Sequence, residues 1–274
     1  MKALHAIVRI PRSGSTLACV LLNQNSAFFA TSTSDTPALI DAIAPTWDGF
    51  QATSMRAVDP EAQRTSERNT VLGAIEGKYH FAKGMTVFDK SPAWGERWHA
   101  FSELYPKGKA LVFIRDLRAV LGSILKRDRE HPLDSLFGDE VRTPEQKMQF
   151  LCQPDQMVGY AVRNVMSVRQ WGGDRAMFLR HQRWTGEPER YFRQVYRHLG
   201  IRRYWDHDFL RCDGHGGDLD ALLHGKYPHT VFGPVTRRDD HEWEKYMSEE
   251  MADWVTTTFP AYQKLVEGRD EWTR

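Results

Sequence analysis

Residues able to hold a phosphate-like anion stand together near the start of this 274-residue chain, in Pro11-Arg12-Ser13-Gly14-Ser15-Thr16-Leu17. A largely apolar run from Ile7 to Ile10 leads into the stretch, and a helical pattern from Thr16 to about Gln24 follows it. Gly14 lets the backbone curl so that successive N–H groups point inward, and a helix starting there adds the positive end of its dipole. Arg12, Ser13, Ser15 and Thr16 supply further donors for oxyanions. The stretch is not G-x-x-x-x-G-K-[ST], so the lysine and magnesium-binding hydroxyl of an ATPase loop are not in their places. The expected ligand is therefore phosphate-like and bound without Mg²⁺. Proline- and serine-rich turns after strands also occur with no ligand at all, and the loop alone leaves that open.

Two later segments bear on the choice. Lys109 to Ile114 predicts a buried strand, and Arg115 to Leu125 continues as a helix with Ala119, Val120 and Ile124 on its sheet-facing side. Arg115 at the strand tip and Ser123 eight residues on can converge on one dianionic phosphate. An ordinary strand-to-helix junction with solvated charges is the alternative. Met85 to Phe88 predicts a short strand, followed by a turn, Asp89-Lys90-Ser91-Pro92, and a helix from Ala93 to Leu104. Lys90 then falls at the same sheet end as the other two segments, a second cation for the same ligand. Otherwise it is a solvated side chain on a Ser-Pro turn.

Together these segments resemble the sulfotransferases that use 3′-phosphoadenosine 5′-phosphosulfate (PAPS). The first loop is most similar to the P-R-S-G-[ST]-T-L form of the tyrosylprotein and Golgi-type carbohydrate enzymes. The resemblance implies that Arg12 contacts the transferring sulfuryl group and bridging oxygen. Ser13, Gly14, Ser15 and Thr16, in a motif completed by Leu17, would hold the 5′-phosphate, and Arg115 with Ser123 the 3′-phosphate. Lys90 matches the lysine of a [DE]-K-[ST]-P turn that reaches the sulfate. A C-terminal loop closes over the nucleotide in this family, which makes Arg237 and Arg238 further donor contacts. The implied donor is PAPS, the product PAP (3′-phosphoadenosine 5′-phosphate), with no metal required, on a P-loop NTPase-like fold. A later match is partial: the helix Pro188 to Leu199 ends in Leu199-Gly200-Ile201 as in the family, but the turn Arg180 to Trp184 lacks the acidic residues of Y-E-D-L.

Predicted strands near 4–10, 27–31, 85–88, 109–114 and 176–180 alternate with helical patterns, including Pro60 to Lys78, Pro154 to Trp171 and Glu242 to Phe259. That alternation predicts a single α/β domain over residues 1–274, a three-layer α/β/α arrangement around a central parallel sheet. At 41% hydrophobic residues the chain can bury a full core. The stripe Trp243, Met247, Met251 and Trp254 is expected in that core. A net charge of +1 gives no electrostatic case for nucleic acid. No apolar run approaches membrane-spanning length, and no signal peptide precedes the first strand. Three scattered cysteines fit a reducing compartment, so a cytoplasmic enzyme is expected. His207, Asp208, Cys212, Asp213, His215 and Asp218 crowd into a dozen residues with no standard zinc spacing, and a polar surface loop is expected there.

Sulfuryl transfer has a loose in-line transition state, so cations placed where charge develops carry much of the work. The acceptor hydroxyl must also lose a proton. Tyrosylprotein enzymes place a glutamate where this chain reads Ala30-Thr31-Ser32-Thr33-Ser34-Asp35. Asp35 is the nearest carboxylate and the candidate base, with a helix cap before Thr36-Pro37 as its other role. His131 and His80 stay open as bases. The acceptor is expected to be a small molecule, carbohydrate or peptide, its pocket built from about residues 36–84 and 128–175. A P-loop kinase of a small metabolite and a catalytically silent nucleotide-binding protein are the competing readings.

Overall fold

A computed structural model describes residues 1–131, 135–138, 140–214, 231, 233–237 and 239–268. Five strands, β1 (Ala3–Arg9), β2 (Phe28–Ala30), β3 (Thr86–Lys90), β4 (Ala110–Ile114) and β5 (Ala176–Arg180), form one parallel sheet in the order β2-β3-β1-β4-β5. Parallel neighbours need crossovers, and helices supply them. α1 (Ser15–Asn23) joins β1 to β2. α2 (Thr36–Ile43), α3 (Phe50–Val58) and α4 (Pro60–Lys78) lie between β2 and β3, and α5 (Trp98–Leu104) between β3 and β4. α6 (Leu117–Glu130), α7 (Pro144–Leu151) and α8 (Met157–Trp171) lead to β5. α9 (His181–Gly186), α10 (Pro188–Leu199), α11 (Glu249–Thr258) and α12 (Pro260–Glu267) follow it.

Because helices cover both faces, side chains of both parities along β1 are apolar. Leu4, Ala6, Val8 and Ile10 pack with residues of α6 and α8. Ile7, with Phe88, Leu111 and Phe113 of the neighbouring strands, packs with α1 and α10. The three-layer α/β/α arrangement with a parallel sheet is thus observed. The helix α10 ends as expected: Gly200 takes φ 72°, a left-handed cap that glycine adopts without cost.

Several local expectations differ. Asp89 and Lys90 continue β3 rather than forming a turn, since they pair with Ala6 and Ile7 of β1 and each side chain finds partners on its own face of the sheet. The helix expected from Ala93 is a short 3₁₀ turn, Pro92–Trp94, with α5 starting only at Trp98. The helical pattern beginning at Glu242 breaks at Ser248, whose Oγ accepts from the Met251 N–H at 3.3 Å and caps a separate α11. Met247 and Met251 are core residues, with Trp243 and Trp254 packed at its rim. Of the turn expected at Arg180–Trp184, Arg180 ends β5 and His181 begins α9.

His207 and Cys212 are buried, not on a surface loop. His207 Nε2 lies 3.0 Å from the Tyr196 hydroxyl among Phe192, Tyr204 and Phe209, and burial lowers its pKa to about 4. His215 and Asp218 lie outside the described residues. Among the described residues no group of His, Cys, Asp and Glu could hold a metal ion, and no helix is long and apolar enough to cross a membrane.

Candidate donor-binding site

The loop after β1 is wound by two left-handed residues, Arg12 at φ 59° and Gly14 at φ 80°. For Arg12 this is a disfavoured conformation, of the kind found where a ligand site stores strain. Gly14 is required twice over. A Cβ there would stand 2.7 Å from Trp184 Cζ2 and 3.1 Å from His181 Cδ2, both on α9. The first helical bond of α1 runs from the Ala18 N–H to the Gly14 carbonyl at 3.0 Å. The N–H groups of Ser15, Thr16 and Leu17 therefore have no acceptor in the helix. Ser13 contributes differently from expectation: its Oγ donates to the Ile10 carbonyl at 2.7 Å and holds the loop, which leaves its backbone N–H for an anion.

The structure brings the Arg12 loop and the Arg115–Ser123 segment together across 111 residues of sequence. Arg12 Nε donates to Ser123 Oγ at 3.2 Å, and Arg115 Nη1 donates to the Arg12 carbonyl at 3.0 Å. Arg12 therefore points toward the Ser123 side. Arg115 sits just beyond β4 and Ser123 on the second turn of α6, where Gly122 allows the 242–245 turn to approach: a Cβ there would meet the Trp243 Cβ at 2.6 Å. A small cavity lined by Arg115, Ser123, Lys126, Asp240 and Trp243 separates these elements. Asp240 accepts from Arg115 Nε at 2.8 Å and faces His181 Nδ1 at 3.8 Å. Burial raises its carboxyl pKa, with Arg115 pulling the other way. No signal in the sequence links Asp240 to an arginine 125 positions earlier.

Lys90 is the last residue of β3 and is 2% exposed. Its ammonium donates to Thr16 Oγ1 at 2.8 Å, under the first turn of α1. Burial lowers its pKa to about 8, with the neighbouring Arg9 guanidinium acting in the same direction. Arg9, the last residue of β1, shares this face of the sheet, and nothing in the sequence marked it within an apolar run. Asp89 projects to the opposite face, where it accepts from Trp94 Nε1 at 2.8 Å, Ser34 Oγ at 2.9 Å and the Tyr79 hydroxyl. This buried network ties the segment after β2 to β3.

Asp35 occupies the cap position of α2 but makes no capping bond. Its exposed carboxylate is paired with Lys78, which holds its pKa below the ordinary value. His80 lies on the turn leading into β3 beside the Gly77 carbonyl, and His131 is exposed at the far end of α6. Neither is brought to the donor loop. Arg237 is exposed with its Cδ against α9 at Gly186, while Arg238 lies outside the described residues.

Residues 6–207 match the family model described as the sulfotransferase family. Comparison with curated proteins gives no match. Among solved structures, the chain is similar to the sulfotransferase domain of the Synechococcus PCC 7002 olefin synthase. That match has 17% identity, covers 95% of this chain and 96% of that one, and has a TM-score of 0.51. The sulfotransferase domain from the curacin biosynthetic pathway matches at 15% identity, 95% and 98% coverage and TM-score 0.53. A mouse sulfotransferase solved in complex with PAP matches at 9% identity, 97% and 86% coverage and TM-score 0.51. At these identities the structural likeness speaks for the fold, and the family model spans well over half the chain. The chain belongs to the sulfotransferase family.

Proposed function

We propose that the protein moves a sulfuryl group from PAPS to a hydroxyl or amine of a small-molecule, carbohydrate or peptide acceptor, by in-line displacement. The carrying observation is the convergence at one sheet end of the Arg12 loop, Lys90, Arg115 and Ser123. The residues fit an anionic nucleotide: among the described residues the loop N–H groups have no backbone acceptor and Lys90 has no ion-pair partner, and Arg115 and Ser123 border a small cavity. When bound, PAPS supplies an activated sulfuryl group on a mixed anhydride. The N–H groups of Ser13 to Leu17 would hold its 5′-phosphate, and Lys90 and Arg12 would supply positive charge where negative charge gathers. Arg115 and Ser123 would take the 3′-phosphate, with Asp240 releasing Arg115. Arg237, with Arg238, is assigned to the segment covering the nucleotide.

Contrary to the expectation above, Thr16 stands two residues after Gly14, where an ATPase loop carries its metal-binding hydroxyl; only the lysine is missing, its place taken by Ser15. Its Oγ1 accepts from Lys90, so a cation already sits at that position. This supports a reaction without metal over the kinase reading. The three cysteines, all free and buried, support a cytoplasmic setting. Transfer of labelled sulfate from PAPS to a panel of hydroxyl acceptors in the presence of a chelator tests the reaction. Phosphate transfer from Mg-ATP in its place would establish the kinase, and binding without turnover the silent protein.

Asp35 is the proposed base. Its pairing keeps it ionised and reduces its basicity, so the role requires an acceptor that draws Lys78 away. Asp35→Asn is expected to lower kcat about 10²- to 10⁴-fold with PAP affinity unchanged. Unchanged turnover would remove Asp35 from the mechanism.

A further inference from the structure

Arg9 is a cation that no carboxylate among the described residues balances. It closes β1 opposite Phe113 of β4, on the face of the sheet that packs under α1. Its Nε has less than 1 Å² of accessible surface and no hydrogen-bond partner. Among the described residues the guanidinium has no ion-pair partner either. The residue as a whole keeps some accessible surface. One strand away, Lys90 is equally without a carboxylate among the described residues, and its ammonium donates to the Thr16 hydroxyl. The first turn of α1, whose N–H groups have no backbone acceptor among the described residues, lies above Lys90, and Arg9 interacts electrostatically with Cys19 of the same helix. Cys19, on the next turn of that helix, is buried and its thiol pKa is raised by burial, so it supplies no negative charge.

Burying a charge is expensive unless it is paired, and a chain that keeps two such charges under a helix N-terminus has an anion to meet them. Asp89, the nearest carboxylate along β3, faces the other side of the sheet and has three donors of its own. No rearrangement within strand geometry brings it to Arg9.

We propose that Arg9 is a donor-binding residue: with Lys90 and the N–H groups of α1 it holds the 5′-phosphate of the nucleotide, including the extra charge left there after transfer. The assignment rests on the PAPS reading and adds a third cation to Arg12 and Lys90. A phosphate that gains charge as the sulfuryl group leaves is bound more tightly by a fixed guanidinium than the anhydride it came from.

The test compares PAP with adenosine 3′-phosphate, which keeps the 3′-phosphate and lacks the 5′-phosphate. Both are titrated calorimetrically into wild type, Arg9→Met and Arg9→Lys, with melting temperatures measured with and without ligand. Arg9→Met is expected to weaken PAP about 10- to 100-fold, the worth of lost charge-assisted hydrogen bonds, and to leave adenosine 3′-phosphate unchanged. Arg9→Lys recovers most of the PAP affinity. The ligand-free Arg9→Met protein melts at or above the wild-type temperature, because an unpaired buried charge has gone. Equal weakening of both nucleotides, or a lower melting point with PAP affinity intact, would make Arg9 a structural residue and overturn the assignment. A wild type that binds PAP no better than adenosine 3′-phosphate has no 5′-phosphate site, which overturns the donor reading itself and Arg9 with it.

Discussion

Replacing Lys90 by methionine is expected to lower turnover about 10²- to 10³-fold, the usual cost of removing one preorganised donor from a developing oxyanion. Methionine fills the same buried space, so folding should survive. Strand pairing with Ile7 fixes the Lys90 backbone, and the ammonium donates to Thr16 Oγ1 at 2.8 Å from a side chain that is almost fully buried. A pH signature follows from the same burial. The groups facing Lys90 are Arg9 from β1 and Cys19 from α1, and its pKa is lowered to about 8, burial being the main cause. Below that pH Lys90 is charged and active; as pH rises through it the proton is lost and with it the stabilising charge. kcat/KM, which reports the free enzyme, should therefore fall on the alkaline side with a midpoint near 8. Lys90→Arg should move that limb out of the measurable range. A flat profile to pH 10, with wild-type turnover in Lys90→Met, would show that Lys90 does not serve the reaction.

The second large effect is expected from Gly14→Ala. A methyl there needs a left-handed backbone at φ 80° and meets Trp184 Cζ2 at 2.7 Å. Trp184 has no room to retreat, being fully buried against Phe113 and Phe192. Left-handed strain of about 1–2 kcal/mol and overpacking of about 1–3 kcal/mol add to roughly 2–5 kcal/mol. Melting should fall by roughly 5–10 °C, and PAP affinity by at least about tenfold because the loop must shift to relieve the contact. A variant with wild-type melting and PAP affinity would show that the loop does not depend on this close approach.

The Arg12 loop was legible because its residues break a pattern. Gly14 and a cluster of hydroxyls interrupt an apolar run just before a helix, and Arg115 does the same after β4. The sheet was legible for the related reason that strands buried on both faces read as continuous apolar segments. What the sequence hid depends on contacts between distant residues. Asp89 and Lys90 look like turn residues until β1 pairs with them and the sheet separates their side chains. Asp240 meets Arg115, and Trp184 meets Gly14, only once the chain has folded. Arg9 passed as part of an apolar strand because one-dimensional patterning does not show which charges lack a partner. The shape of the segments around α2 to α4 and α7 to α8 carries no acceptor chemistry that composition could have revealed.

The measurement that bears most directly on PAPS as the donor is calorimetric titration with PAP, set against AMP and Mg-ATP, on wild type and Ser123→Ala. If the Arg115 and Ser123 pair holds a 3′-phosphate, PAP binds more tightly than AMP, binds equally with or without Mg²⁺, and loses affinity when the Ser123 hydroxyl is removed. PAP binding no better than AMP, or a preference for Mg-ATP, would contradict it and put the kinase reading in its place.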